Sequence, residues 1–175
     1  MVDRISFSGL EPSLEQIANH HATVEEAIFE YFSLPSDKAL ARYTGVRLDE
    51  ARGACLDEMS QMSAFAALSS IEAIMQMDYL ERAYERRRDT LSRSMRALYQ
   101  EKGARVSLEY DLVPRWREHT AIPTRIFSDL VGALQYRHWL AHGRYWTPKF
   151  GRKYDFYAVY ELGVLLMEAM TGVPE

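Results

Sequence analysis

The sequence predicts an all-α fold, a single-domain bundle of five or more helices occupying residues 1–175. Three observations carry this. Apolar residues recur at three- and four-residue spacing in one segment after another, the mark of helices with a buried stripe. No segment alternates apolar and polar residues with period two over a useful length, so nothing argues for a sheet. At 175 residues, 47% hydrophobic and 26% charged, the chain is also long enough for one apolar core of ordinary composition.

Pro12 stands where a first helix can begin, since the first turn does not use its missing N–H. Leu14, Ile17, Ala18, His21, Val24, Ile28 and Phe32 form the stripe of that helix, which ends near Leu34-Pro35. His21 lies on the stripe, where neutral imidazole tolerates burial. A hydrogen-bonded core or interface histidine is expected there rather than a ligand, and His20 points elsewhere. Ser36 and Asp37 cap a second, shorter helix. From about Leu48 to Arg88 there is no proline and only Gly53 as a weak break, which predicts one long helix or two in succession. Its middle, Met62 to Met77, is apolar or small nearly all round, as expected of a helix surrounded by others. Glu72 falls in that stretch. An unpaired carboxylate is costly there, so Glu72 needs a partner, either an arginine of the scaffold or one of a site.

Between Glu81 and Arg96, six arginines (Arg82, Arg86, Arg87, Arg88, Arg93 and Arg96) alternate with Glu81, Glu85 and Asp89. Mixed signs at helical spacing predict a solvated face, with a phosphate-binding role for Arg86 to Arg88 ranked second. Asp89 or Thr90 caps a helix to about Glu101, and Gly103 closes it. Ser107 caps the next, through Leu108, Leu112 and Trp116, interrupted or restarted at Pro114. Pro123 opens a helix whose expected buried stripe is Ile126, Phe127, Leu130, Val131, Leu134, His138 and Ala141, with Gly143 ending it. Asp155 caps the last helix. Phe156, Val159, Leu162, Leu165 and Leu166 are expected to face inward, and Gly172 to Pro174 stop it.

The one stretch that packing does not account for lies between Asp129 and Asp155, where there is no acidic residue. Arg137, Arg144, Lys149, Arg152 and Lys153 are interleaved there with Tyr136, Trp139, Tyr145, Trp146, Phe150 and Tyr154. Cations attract phosphates and aromatic faces stack on unpaired bases, so the composition points to single-stranded nucleic acid. The formal net charge of the chain is -4, which argues for a local site and against a general polyanion binder. A lone cysteine, Cys55, supplies neither a disulfide framework nor a zinc cluster and fits a reducing compartment. The N-terminus has no basic start and apolar run of a secretory leader, and no stretch reaches the roughly 20 mostly apolar residues of a membrane span. A cytoplasmic protein without a membrane partner is expected.

On an ideal helix Arg137 and His142 are separated by about 140°, on opposite flanks of the stripe and near the C-terminus, where cations are favoured. If the end of this helix formed a two-fold contact, the arginine of one subunit would lie beside the histidine of the other. A histidine can take the proton of a ribose 2′-hydroxyl or give one to the leaving 5′-oxygen, and an arginine can hold the phosphate. Such chemistry needs no metal or cofactor, spares DNA, and leaves a cyclic phosphate end.

The run Arg137-His138-Trp139-Leu140-Ala141-His142, closing an amphipathic helix before a basic and aromatic loop, resembles the HEPN superfamily. The motif of that family is Arg, four to six residues, then His, with a polar residue commonly following the Arg. The resemblance implies a HEPN-like helical bundle, a homodimer with a composite active site, and metal-independent endoribonuclease activity of the kind found in toxins and anti-phage effectors. It carries Arg137 and His142 over as catalytic and His138 as the polar motif position. Beside what the resemblance carries over, Glu72 is expected as a supporting partner of Arg137, and Arg144, Tyr145 and Lys149 of the basic, aromatic stretch are expected as RNA contacts. The partners it implies are an RNA substrate, a second copy of the chain and an antitoxin or other regulator. One departure stands out: toxins of this group that are silenced by tyrosine nucleotidylation carry the tyrosine two residues after the histidine, where this chain has Arg144 and places Tyr145 one residue later.

Three other readings compete. The same fold can serve as a non-catalytic RNA-binding or protein-interaction module. His138 and His142, spaced i, i+4, can share a metal, although no third ligand is evident. Arg137 and the histidines can also simply finish a helix while Trp139 and Trp146 pack.

Overall fold

Four of the helical elements begin on a residue whose side chain satisfies an amide group that the first turn leaves unpaired. The computed structural model describes residues 4–33, 36–85 and 87–173. Its elements are α1 (Leu14–Ser33), α2 (Asp37–Arg42), α3 (Leu48–Tyr84), α4 (Thr90–Lys102), a π-helical turn (Leu108–Leu112) running into α5 (Val113–His119), α6 (Thr124–Ala141) and α7 (Phe156–Thr171), with no strand among the described residues. Ser13 and Gln16 cap α1 reciprocally: the Ser13 hydroxyl accepts from the Gln16 amide at 3.1 Å and the Gln16 side chain accepts from the Ser13 amide at 2.9 Å. Asp89, Ser107 and Asp155 accept in the same way from the amides of Ser92, Tyr110 and Ala158. Gly103 and Gly143 close α4 and α6 with φ of 65° and 79°, values that side chains disfavour. The expected end of the first helix at Leu34-Pro35 lies outside the described residues, as do Arg86 and Pro174.

α3 runs unbroken through Gly53 for 37 residues, about 55 Å at the helical rise. From Ser63 to Leu80 none of its residues is exposed, because α1, α4, α6, α7 and the π-turn all pack around that half. Ala64, Ala67, Leu68, Ile71 and Met75 form the centre of the core, with Phe127 and Leu130 of α6 and Phe156, Val159 and Leu166 of α7 packed on it. α1, α3 and α7 meet closely at Gly163, where an added Cβ would stand 2.7 Å from Leu14 Cδ1 and 3.0 Å from Ile71 Cδ1. None of the helices in the described chain is long and apolar enough to cross a membrane.

Several expectations are corrected. The long helix stops at Tyr84, short of Arg88. Arg82 is not on a solvated face: it is 3% exposed, bonds both carboxylate oxygens of Asp78 at 2.9 Å and donates to Ser92 at 3.2 Å. Arg96 also turns inward, donating to the carbonyls of Glu85 (3.0 Å) and Arg87 (2.6 Å). The arginine-rich segment thus stitches α3 to α4 by satisfying the carbonyl groups at the end of α3. On α6 the buried face is Phe127, Leu130, Ala133, Tyr136 and Leu140, while His138 and Ala141 are exposed. The face turns because the loop after α6 folds back over Tyr136. Leu165 of α7 points outward, 46% exposed. His21 is buried as expected, but neither ring nitrogen has a hydrogen-bond partner among the described residues; its ring stacks on Phe156 at 3.9 Å instead.

Candidate active site

α6 ends in a Schellman turn. The Gly143 amide donates to the Leu140 carbonyl at 3.2 Å and the Arg144 amide to the Trp139 carbonyl at 3.1 Å. His142 is therefore the C-cap, with φ -94° and ψ 19°, and its ring lies over that of His138 one turn earlier, the centroids 4.2 Å apart. Both imidazoles are exposed. They stand at the C-terminal, negative end of the helix dipole.

Arg137 is fixed from two sides. One terminal nitrogen lies 3.0 Å from a Glu72 oxygen, and the guanidinium carbon lies 5.4 Å from the centre of the Phe65 ring. Its Nε is buried with no hydrogen-bond partner among the described residues. Arg137 and Glu72 are each about a third exposed, so the pair adds little to stability, on the order of 0–1 kcal/mol. Its effect is to hold the planar donor group in one orientation. The carboxylate inside the apolar stretch of α3 thus has its arginine, and that arginine is the one in the motif.

The loop from His142 to Asp155 is organised by its own aromatics. Tyr136 stacks on Trp139 (5.8 Å between centroids) and on Tyr154 (5.7 Å), and meets Phe150 edge-on at 5.4 Å. The Trp139 indole donates to the Trp146 carbonyl at 2.8 Å. The Tyr154 hydroxyl occupies the space over Gly132 where a Cβ would otherwise stand. Burial pushes the Tyr136 phenol up to about 12. These four rings pack on one another and are not free platforms for bases. Tyr145, 83% exposed, and half-buried Trp146, against whose ring it stands at 4.7 Å, remain on the surface.

The positive charges are engaged as well. Arg144, a non-glycine residue at φ 58°, reaches α3, where it bonds Glu58 through both oxygens (2.6 and 3.0 Å) and Gln61 at 2.7 Å. The contact draws the Glu58 carboxyl below its usual range. Arg152 pairs with Asp129 at 3.1 Å and Lys153 with Asp155 at 3.3 Å. Of the five cations only Lys149 has no ion pair among the described residues.

A cleft of about 530 Å³ opens between the π-turn, α6 and the loop, and Glu72, Glu109, Tyr110, Arg137, His138, Trp146 and Lys149 all line it. His142, Arg144 and Tyr145 do not line this cleft; His142 adjoins it through His138, while Arg144 is turned to α3. The π-turn residues Glu109 and Tyr110 went unread in the sequence, and the only signal for them is Tyr110, a large aromatic on the polar side of a short helical pattern. A larger concavity lies elsewhere, an apolar groove of about 1050 Å³ between α1 and the first half of α3, lined by Ile17, Val24, Ile28, Cys55 and Met59 among others. It has the volume of a ligand site but no group of convergent charges, so the chemistry points to the smaller cleft. Among the described residues, no three of His, Cys, Asp and Glu are gathered as a metal site. No family model, curated protein or solved structure matches the chain.

Proposed function

We propose that this chain is a HEPN-like, metal-independent endoribonuclease that works as a homodimer, with Arg137 binding the scissile phosphate and His142 moving a proton. One observation carries the reading. At the exposed end of α6, an arginine oriented by Glu72 and Phe65 shares a cleft with His138, whose ring touches that of His142. Such an arginine can donate to a phosphate oxygen from the edge that faces the cleft, and charge builds on that oxygen as the bond breaks. In the step, the ribose 2′-oxygen attacks phosphorus, the bond to the 5′-oxygen breaks, one proton leaves the 2′-hydroxyl and one reaches the 5′-oxygen. The products are a 2′,3′-cyclic phosphate and a 5′-hydroxyl end. His142 serves as one of the two proton carriers and His138 orients the site.

His142 borders the cleft without lining it, which supports a second copy of the chain completing the site. Lys149, the unpaired cation of the loop, serves the RNA backbone. Tyr145 is the exposed ring available to a base outside the cleft. Arg144 serves RNA only by exchanging Glu58 for a phosphate. A role as a toxin or anti-phage effector, in the cytoplasm and under an antitoxin or other regulator, belongs to the same proposal.

The test is incubation of the purified protein with mixed RNA in EDTA, beside Arg137→Ala and His142→Ala variants, with analysis of the new ends. Cyclic phosphate ends that appear with the wild type alone are the expected result. No cleavage by the wild type, or equal cleavage by His142→Ala, overturns it. RNA retained but uncut is the outcome expected of a binding module.

A further inference from the structure

We infer that the cleft beside Arg137 is a base-reading subsite that selects guanosine, with Glu109 as the specificity-determining residue. The inference rests on the ribonuclease reading only for where the phosphate sits. Glu109 and Tyr110 line the cleft from the π-turn, and Trp146 lines it from the loop. The Glu109 side chain is half-buried, yet its carboxylate makes no hydrogen bond or ion pair among the described residues. Other acidic groups near the loop are all engaged: Glu72 with Arg137, Glu58 with Arg144, Asp129 with Arg152 and Asp155 with Lys153. Glu109 is thus a free double acceptor in a cleft that already holds a cation for phosphate.

A carboxylate offers two acceptors side by side and no donor. On the pairing edge of guanine, N1–H and the 2-amino group are adjacent donors, a match for both oxygens at once. Adenine and cytosine each place a ring-nitrogen acceptor next to their single amino group, and uracil flanks its one N–H with two carbonyls. A carboxylate meets repulsion from each of those neighbours, so guanine is the base that it prefers. The remaining needs of a base site are met beside it. Tyr110, 75% exposed, offers an unoccupied ring face, and Trp146, which also lines the cleft, is held at its carbonyl by the Trp139 indole. Aromatic faces of this kind hold any base and add affinity without choosing among them. Selection falls to Glu109, and the phosphate of the same nucleotide reaches the Arg137 end of the cleft.

The test measures binding of the four nucleoside 3′-monophosphates to the intact protein by calorimetry, with Glu109→Gln and Tyr110→Ala beside the wild type. Cleavage of an RNA containing all four bases is run in parallel. The guanosine nucleotide is expected to bind at least about ten-fold more tightly than the other three, roughly the value of one good bidentate contact. Glu109→Gln should remove that preference while leaving the other three affinities in place, and Tyr110→Ala should weaken all four alike. Equal affinities for the four, or a guanosine preference that survives Glu109→Gln, overturns the inference. Cuts without regard to guanosine also overturn it and leave the ribonuclease reading standing. A guanosine preference in binding with no cleavage sinks the ribonuclease reading and upholds the subsite.

Discussion

Arg82 and Arg137 each meet a carboxylate from α3, yet burial gives the two contacts different consequences. Arg82 is almost wholly enclosed, with Asp78, Ser92 and the Trp116 ring around it. Burial already raises the Asp78 carboxyl above its usual range, so removing the arginine strands a charge. Arg82→Met is expected to cost about 3–5 kcal/mol in urea denaturation. Arg137→Met removes a pair that water already screens and should change stability by no more than about 1 kcal/mol, while abolishing RNA cleavage. Equal losses of stability at both positions would mark Arg137 as scaffold. His21 supplies a pH dependence. Burial lowers its folded pKa below the ordinary 6.5, with Glu25 opposing and His20 adding to the shift. The groups that face it from α7 are the Phe156 and Tyr157 rings, and the Tyr157 hydroxyl is bonded to Glu25 at 3.1 Å. The unfolded chain therefore takes up the proton first as pH falls through 6.5. Stability drops from there until the folded form is protonated too, and is unchanged by this group at higher pH. Melting curves between about pH 7.5 and about pH 5 should show a smaller loss for His21→Leu than for the wild type.

At the scale of the element, α6 and its following loop form one unit, because Phe150 and Tyr154 of the loop pack on Tyr136 of the helix and Phe150 also meets Trp139. A tight point in it is Gly132, over which the Tyr154 hydroxyl rests. Gly132→Ala must push that ring outward, with Phe150 and Tyr136 behind it. The expected cost is about 1–3 kcal/mol, accompanied by a changed near-ultraviolet dichroism from the displaced rings. A variant with native stability and an unchanged aromatic spectrum would show that the loop gives way freely. The same unit explains what the sequence disclosed. Caps at Asp89, Ser107 and Asp155 and stops at Gly103 and Gly143 are legible because each is settled within four or five residues. The spacing from Arg137 to His142 is legible for the same reason. The need of Glu72 for a partner can be read from its apolar neighbours, whereas the choice of Arg137 depends on how α6 lies against α3. The inward turn of Arg82, the self-packing of Tyr136, Trp139, Phe150 and Tyr154, and the approach of Glu109 to the motif are products of tertiary placement. Charge pattern and aromatic content look the same whether such residues face water or one another.

For the whole molecule, the central question is whether one chain holds a complete site. Arg137 and His138 line the cleft, and His142 stands outside it at the exposed helix end. A two-fold contact between two such ends is isologous, so it creates two equivalent sites, each with the arginine of one protomer and the histidine of the other. The arrangement has a consequence that a site built within one chain lacks. Arg137→Ala and His142→Ala proteins should each be inactive alone. When equal amounts are unfolded together and refolded, half of the dimers are mixed, and each mixed dimer has one site lacking both groups and one site lacking neither. Cleavage should therefore return to about a quarter of the wild-type rate per chain. Sites built from one chain leave the mixture inactive, because every chain carries one damaged residue. Dimerisation is measured on the same samples by light scattering, and a monomer under conditions where cleavage occurs would rule out the shared site. An inactive mixture that contains mixed dimers would place both groups in one chain and require α6 to bring His142 into its own cleft.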